Sequence, residues 1–239
     1  MWDPEVALRE SALLDEATAE LARMDAASRV RWALEHLPGA HALSSSFGAQ
    51  AAVSLHMVAR EAPSIPVILI DTGYLFPETY RFIDELVLRL ELNLKVFQPS
   101  LSPAWFEASH GRLWEQGREG IERYNALRKG EPMQRALQDL GVGTWFAGLR
   151  RDQSRSRRRI RPVEHRNGRW KLHPIFDWTD RQVFEYLRRH DLPYHPLWHE
   201  GFVSIGDWHT TRSLAEAGDA EATRFFGLKR ECGLHGLEG

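Results

Sequence analysis

The sequence predicts an α/β fold, a twisted and mostly parallel sheet flanked by helices. Two observations predict it. Short apolar strand candidates alternate with helical segments through most of the chain, and the first two of those strands each run into a polar loop and then a helix. With 239 residues and 43% hydrophobic content the chain is long enough to bury one sizeable core, and no Pro/Gly/Ser-rich linker divides it.

The elements follow in order. Val6, Leu13, Leu14, Leu21, Met24, Val30 and Leu34 recur at helical spacing among charged residues, predicting two helices before the Pro38-Gly39 break. His41 to Ser45 is a short strand bounded by that turn, and AQAAVSLHMVAR from Ala49 is a helix. Pro66 to Ile70 is apolar and β-branched, ending in Asp71-Thr72-Gly73, and the segment after Pro77, ETYRFIDELVLRLEL, has helical periodicity. A third strand begins at Leu94 to Phe97, and a helix at 131–140, a strand at 144–149 and a helix at 179–190 continue the alternation. After about residue 193 the periodicity weakens into a stretch rich in Gly, His and aromatics, expected to be a mobile segment or an arm packing on a partner. The organisation is read as N-terminal helices at 1–39, a nucleotide-binding α/β domain at 40–212 and a C-terminal tail at 213–239.

Bulk charge narrows the function. Thirty-one Lys and Arg against 33 Asp and Glu leave a net charge of −2, so any anion site is local and the molecule as a whole is no polyanion binder. The longest purely apolar run, VILI at 67–70, is far short of a membrane span, and the acidic N-terminus has no signal-peptide core; a cytoplasmic protein without a membrane partner is expected. A single cysteine excludes an intrachain disulfide, a thiolate-only zinc site and a cluster held by four protein thiolates. That thiol is either a small buried hydrophobe or a nucleophile.

In such a sheet, ligands bind beyond the C-terminal ends of the strands, which directs attention to the loops at 44–50 and 71–77. Ser44-Ser45-Ser46-Phe47-Gly48-Ala49-Gln50 offers three hydroxyls and backbone N–H groups at a helix N-terminus, a phosphate cradle or, more plainly, a serine N-cap. It contains neither GK[ST] nor GxGxxG. Asp71, Thr72 and Gly73 form a polar turn suited to an adenine or ribose edge; a turn leading to Pro77 accounts for the glycine and proline but not for the paired Asp and Thr. RRDQSRSRRRIR, from Arg150 to Arg161, packs seven arginines and one acid into twelve residues after an apolar strand, as a phosphate- or sulfate-binding loop would. A nucleic-acid contact and a solvated basic loop are the alternatives; near-neutral charge and the lack of a nucleic-acid motif argue against the first. Near the C-terminus, Lys229 and Arg230 favour the thiolate of Cys232 while Glu231 opposes them, and Gly233 and Gly236 give the segment freedom to swing over a substrate. A reactive, exposed thiol is expected there.

These loops resemble the modified phosphate loop of the adenine nucleotide alpha hydrolase-like superfamily, with one departure: the Asp of its ATP-splitting Ser-Gly-Gly-x-Asp-Ser pattern is absent, against ATP cleavage to AMP and pyrophosphate. More closely, SSSFGAQAAVSLH, DTGYLFPETYRFIDEL, EPMQRAL, TWFAGLRRDQS, YHPLW, GDWHTTR and EATRFFGLKRECGLH, in that order, resemble the assimilatory phosphoadenylyl-sulfate (PAPS) reductases from about residue 41 to 236. The resemblance implies a homodimer that takes PAPS as substrate in sulfate assimilation and draws electrons from thioredoxin or glutaredoxin, with Cys232 as nucleophile and S-sulfocysteine as intermediate. It implies no metal and no redox cofactor, because related adenylyl-sulfate (APS) enzymes hold an iron–sulfur cluster through a CC pair and a CxxC that this sequence lacks.

Carried over by motif, Ser44, Ser45, Ser46, Phe47, Gly48 and Gln50 hold the phosphosulfate side and Asp71, Thr72 and Gly73 the adenosine. Gly148, Arg150, Arg151, Gln153 and Ser154 surround the nucleotide. Arg157, Thr211, Arg212, Lys229 and Arg230 are candidates to balance its 3'-phosphate and sulfate, and His235 either tunes the thiolate or makes a structural contact. Two positions depart from the family pattern: Arg155 stands where a small residue is common and Gly130 where Val is frequent, and the extra guanidinium at 155 is expected to strengthen 3'-phosphate binding.

Overall fold

The structure, a computed structural model, describes residues 4–228. Cys232, Lys229, Arg230 and His235, the C-terminal part of the expected site, lie outside the described residues.

Six strands form one sheet in the order β3-β2-β1-β4-β6-β5. β1 (Ala40–Ser44), β2 (Pro66–Ile70), β3 (Asn93–Phe97), β4 (Val142–Ala147) and β6 (Arg169–Leu172) run parallel to their neighbours, and β5 (Val163–Arg166) pairs antiparallel with β6. The twofold alternation of side chains along a strand divides the apolar residues between the two faces. Leu43, Val67, Leu69 and Phe146 enter the larger core cluster, while Ala42, Ile68, Ile70 and Trp145 enter a second cluster with Met133, Ala136 and Leu137. Each face therefore needs its own helical cover, which explains the near-continuous apolar character of PVILI.

On the larger core lie α2 (Ala26–His36), α3 (Ala52–Glu61), α4 (Pro77–Leu90) and α8 (Asp180–Arg189), whose buried apolar positions belong to that cluster; α1 (Pro4–Leu21) precedes them. α7 (Glu131–Asp139) covers the other face. Local chemistry marks the helix starts. The Asp25 carboxylate accepts from the Ser28 amide at 2.8 Å, Pro77 opens α4, and Thr179 with Gln182 forms a reciprocal capping box at α8.

The predicted helices and strands occur within a few residues of their expected places. Three elements were not read from the sequence: α5 (Pro103–His110), α6 (Gly117–Asn125) and the β5–β6 hairpin. A wide π turn, Ala126–Gly130, joins α6 to α7. Beyond α8, the chain from 193 onward packs as short 3-10 turns and the one-turn helix α9 (Leu214–Ala217), with Thr211 bridging Arg224 and Phe225 fully buried. The first part of the expected tail, as far as Leu228, therefore lies against the domain.

Candidate functional site

β1 has β2 on one side and β4 on the other, so the connections leaving these strands diverge and open a crevice beyond their C-terminal ends. A cleft of about 340 Å³ occupies that place. The loop after β1 and the loop after β4 form two of its walls, and Val203, Ser204 and Ile205 form a third.

Ser44, Ser45, Ser46, Gly48 and Gln50 all line the cleft. Their loop is shaped by Phe47, whose side chain is fully buried in the main core while its backbone takes a left-handed φ of 48°. Such a conformation costs a non-glycine residue on the order of 1–2 kcal/mol, offset here by burying the ring. Phe47 thus anchors the loop from beneath instead of lining it. Its amide donates to Ser45 Oγ at 3.0 Å, and the Ser45 amide donates to the Ile68 carbonyl at 3.0 Å, tying the loop to β2. Ala51 and Ser54 bring the first turn of α3 to the cleft wall, where its backbone N–H groups favour an anion.

From the other side come Gly148, Arg150, Gln153 and Arg157. Gly148 is required by contact: a Cβ there would sit 2.4 Å from Ser54 Oγ on α3. Arg150 is buried and makes three hydrogen bonds. It donates to Gln50 Oε1 at 2.6 Å, to Asp180 Oδ1 at 2.7 Å and to the Trp178 carbonyl at 3.0 Å, joining the β1 loop to the start of α8. Because Gln50 uses its oxygen on Arg150, its amide N–H₂ remains as the donor for a ligand. Arg157 donates to Gln153 Oε1, and Gln153 accepts also from the Arg150 amide at 3.1 Å. Among the described residues the cationic groups on the cleft are Arg150, Arg157 and Arg224, against Asp152 and Asp180, so this part of the lining carries a surplus of positive charge.

The other sequence-predicted residues among the described ones do not line the cleft. Asp71 accepts from the Gly73 amide, Tyr80 Oη and Gln98 Nε2 at 2.9, 2.7 and 2.8 Å. Gly73, with φ of 76°, leaves no room for a side chain, since a Cβ would lie 2.7 Å from Pro103 Cγ. Thr72 donates to Asp207 Oδ1 at 2.5 Å, and its carbonyl accepts from Arg128. Thr211 donates to the Asp207 carbonyl at 2.8 Å, Arg212 lies 4.9 Å from the Phe226 ring centroid, and Ser154 and Ser156 share a hydrogen bond of 2.8 Å. Arg151 reaches away to the Ile160 carbonyl at 2.8 Å and stacks over Phe176. Arg155 offers its amide to Glu221 Oε1 at 3.0 Å.

Asp207 organises the third wall. Burial alone would raise its carboxyl, but Lys129 at 2.6 Å, the nearby His209 and the Thr72 hydroxyl outweigh that and hold it well below the usual carboxylate range. Tyr124 also donates to it at 3.0 Å, and its own hydroxyl is pushed up by burial and by that carboxylate. A bridge between Leu75 and Asp207 joins the β2 loop to the same wall. The 71–75 loop therefore supports the cleft from behind.

Arg224, Asp180, Trp198 and the 203–205 wall also line the cleft, where no motif in the sequence places them. Arg224 lies in the EATRFFG segment that the sequence assigns to the tail, and only its folding back at the Thr211 bridge brings it to the cleft. Among the described residues, no cluster of three or more His, Cys, Asp or Glu is arranged to hold a metal ion, and no helix is long and apolar enough to cross a membrane.

Residues 40–213 match the family described as the phosphoadenosine phosphosulfate reductase domain. The chain is 66% identical over 224 residues to a phosphoadenosine 5'-phosphosulfate reductase of Alkalilimnicola ehrlichii, covering 94% of this chain and 91% of that one. It is 61% identical over 234 residues to the same-named protein of Xanthomonas oryzae pv. oryzae, with 97% of each covered. Among solved structures it is similar to the Candida auris phosphoadenylyl-sulfate reductase in complex with phosphate, with a TM-score of 0.73, 30% identity, and 83% of this chain and 96% of that one covered. Candida glabrata FMN adenylyltransferase, at 16% identity and a TM-score of 0.57 with 86% of this chain and 72% of that one covered, shares the fold.

Proposed function

The chain belongs to the phosphoadenosine phosphosulfate reductase family, and on that premise we propose that it reduces PAPS to sulfite, releasing adenosine 3',5'-bisphosphate, with thioredoxin or glutaredoxin as electron donor. The observation that carries this reading is the donor-rich, cationic cleft at the point where the strand order diverges, beside the segment that leads to the sole cysteine.

In this reading Ser44, Ser45, Ser46, Gly48 and Gln50 receive the phosphosulfate, supported by their place on the cleft and the helix N-terminus behind them. Arg157 and Arg224 meet the remaining negative charge, while Arg150 holds Gln50. The thiolate of Cys232 attacks the sulfonyl sulfur; the new S–S bond forms as the S–O bond to phosphate breaks, and the bisphosphate leaves with that electron pair. A thiolate of the reduced donor then attacks Cys232 Sγ, and sulfite departs with the S–S bonding pair. The resulting mixed disulfide is resolved by the donor's second thiol, which regenerates the Cys232 thiolate and leaves the donor oxidised by two electrons. With one cysteine in the sequence, a cluster held by four protein thiolates has no ligand set, and the chemistry needs none. A cytoplasmic homodimer acting in sulfate assimilation completes the reading.

Sulfite release by the full chain with reduced thioredoxin tests it, comparing PAPS with APS and wild type with Cys232→Ser. Sulfite from PAPS alone, abolished by the substitution, is expected. Comparable APS turnover would overturn the substrate, and turnover without Cys232 would overturn the mechanism.

A further inference from the structure

Trp145 lies on β4 beside β1, and its indole N–H donates to Ser44 Oγ at 2.6 Å. Both residues are buried, at 5% and 8% exposure, yet Ser44 still faces the cleft. Trp145 is also the β4 partner of Lys171 on β6, whose ammonium stands 4.4 Å from the indole ring centroid. A cation over the ring draws π density from it and makes its N–H a stronger donor.

A serine hydroxyl has one proton and two acceptor positions. At Ser44 the indole occupies an acceptor position, and among the described residues no protein group takes the Ser44 proton. Ser45 is handled in the same way, its oxygen accepting from the Phe47 amide at 3.0 Å. Two adjacent hydroxyls on the cleft are thus supplied with internal donors before any ligand arrives. What they offer a ligand is O–H, and the complement of an O–H donor is an oxygen that only accepts, as in a phosphate or sulfate ester.

We infer that Trp145 is a positioning residue that commits the Ser44 hydroxyl to donate to an anionic oxygen, with Lys171 strengthening the indole donor. Trp145 acts through Ser44 and does not touch the ligand. This rests on the reading of the cleft as a phosphosulfate site.

A double-mutant cycle tests the inference, with adenosine 3',5'-bisphosphate as the probe and calorimetry as the measurement. Trp145→Phe removes the N–H and keeps an aromatic ring under Lys171; Ser44→Ala removes the hydroxyl. Each single change is expected to weaken binding about tenfold, the size of one charge-assisted hydrogen bond, and the double variant no further than Ser44→Ala alone. Additive losses would overturn the inference while leaving the cleft's function intact, whereas a wild type that binds no nucleotide would overturn both. A second readout follows the nine indole N–H resonances. The one missing in Trp145→Phe is expected to move in Ser44→Ala, and an unchanged position there would overturn the hydrogen bond itself. Should Trp145→Phe fail to fold, Ser44→Ala alone keeps the test: one indole resonance must shift with it, and nine unmoved resonances would sink the idea.

Discussion

Lys129 Nζ stands 2.6 Å from Asp207 Oδ2, in an ion pair whose two side chains are 5% and 1% exposed. The π turn supplies the cation: by widening the helix over Ala126–Gly130 it lets the consecutive Arg128 and Lys129 both turn inward, Arg128 to the Thr72 and Leu101 carbonyls and Lys129 to Asp207. Lys129 also lies 5.2 Å from the ring centroid of Phe225, in the segment that leads toward Cys232.

Removing one partner of such a pair leaves a buried charge without compensation, so Lys129→Met is expected to destabilise the fold by about 3–5 kcal/mol. Asp207→Asn keeps an acceptor for the Thr72 and Tyr124 hydroxyls and, combined with Lys129→Met, is expected to recover part of the loss. Urea unfolding of the two single variants and the double variant measures this. Equal, additive losses would mean that the pair contributes nothing as a pair.

Gly148 and Ser54 make a second prediction. With the ideal Cβ of residue 148 lying 2.4 Å from Ser54 Oγ and 3.0 Å from Ser54 Cβ, Gly148→Ala must push α3 away from the cleft wall. A cost of about 1–3 kcal/mol and weaker nucleotide binding are expected, both relieved in part by adding Ser54→Gly. Full stability of Gly148→Ala alone, read from its thermal midpoint, would contradict the close contact.

How much of this was legible depended on periodicity. PVILI and ETYRFIDELVLRLEL announce their strand and helix because burial on one or both faces writes itself into the apolar pattern. The β5–β6 hairpin, VEHR and RWKL, has no such pattern, although Asn167-Gly168 with φ of 51° and 71° is a strong turn signal between them. In the site, the serine loop and Gly148-Arg150 were legible because they follow strand ends. Phe47, expected on the phosphosulfate side, is a buried anchor, and the Asp71 and Thr72 side chains, expected at the adenosine, are engaged by the Gly73 amide, Tyr80 and Asp207, distinctions that rest on side-chain direction and not on residue type. Arg224 and the 203–205 wall depend on long-range folding back, which local sequence does not encode.

Histidines held neutral by burial set the acid limb of stability. His56 and His209 are brought down to about 4, and the two least exposed, His173 and His195, show the cause most plainly. Burial, then the nearby Lys171, brings His173 down to about 3, and burial brings His195 down to about 4. His195 accepts from the Leu197 amide at Nδ1 and meets Thr79 Oγ1 at Nε2, a neutral arrangement that protonation breaks. In the unfolded chain both titrate near about 6.5, so below that pH the unfolded state binds protons that the folded state refuses. Stability is therefore complete above pH 6.5 and is lost as the pH falls toward 4, by up to about 1.4 kcal/mol per pH unit for each histidine. Asp207, held low, adds nothing in this window because its loss begins only below the ordinary carboxylate range. Denaturant midpoints at pH 7.5, 6 and 5 check the slope, and His195→Asn is expected to flatten it.

Arg150 provides the last prediction, because its guanidinium serves three acceptors on separate segments: Gln50, Trp178 and Asp180. A lysine keeps the charge but presents a point where a planar fork is needed, and it cannot span all three. Arg150→Lys is expected to lose about 1–3 kcal/mol of stability, the cost of leaving buried acceptors unmet, and to free Gln50 to rotate. If Arg150 acts on the ligand only by holding Gln50, KM for PAPS rises by the same factor in Arg150→Lys as in Gln50→Ala, and combining the two raises it no further. If instead the guanidinium itself contacts the nucleotide, the effects multiply and binding by the single Arg150→Lys variant becomes less sensitive to salt, because one charge-assisted contact has been lost.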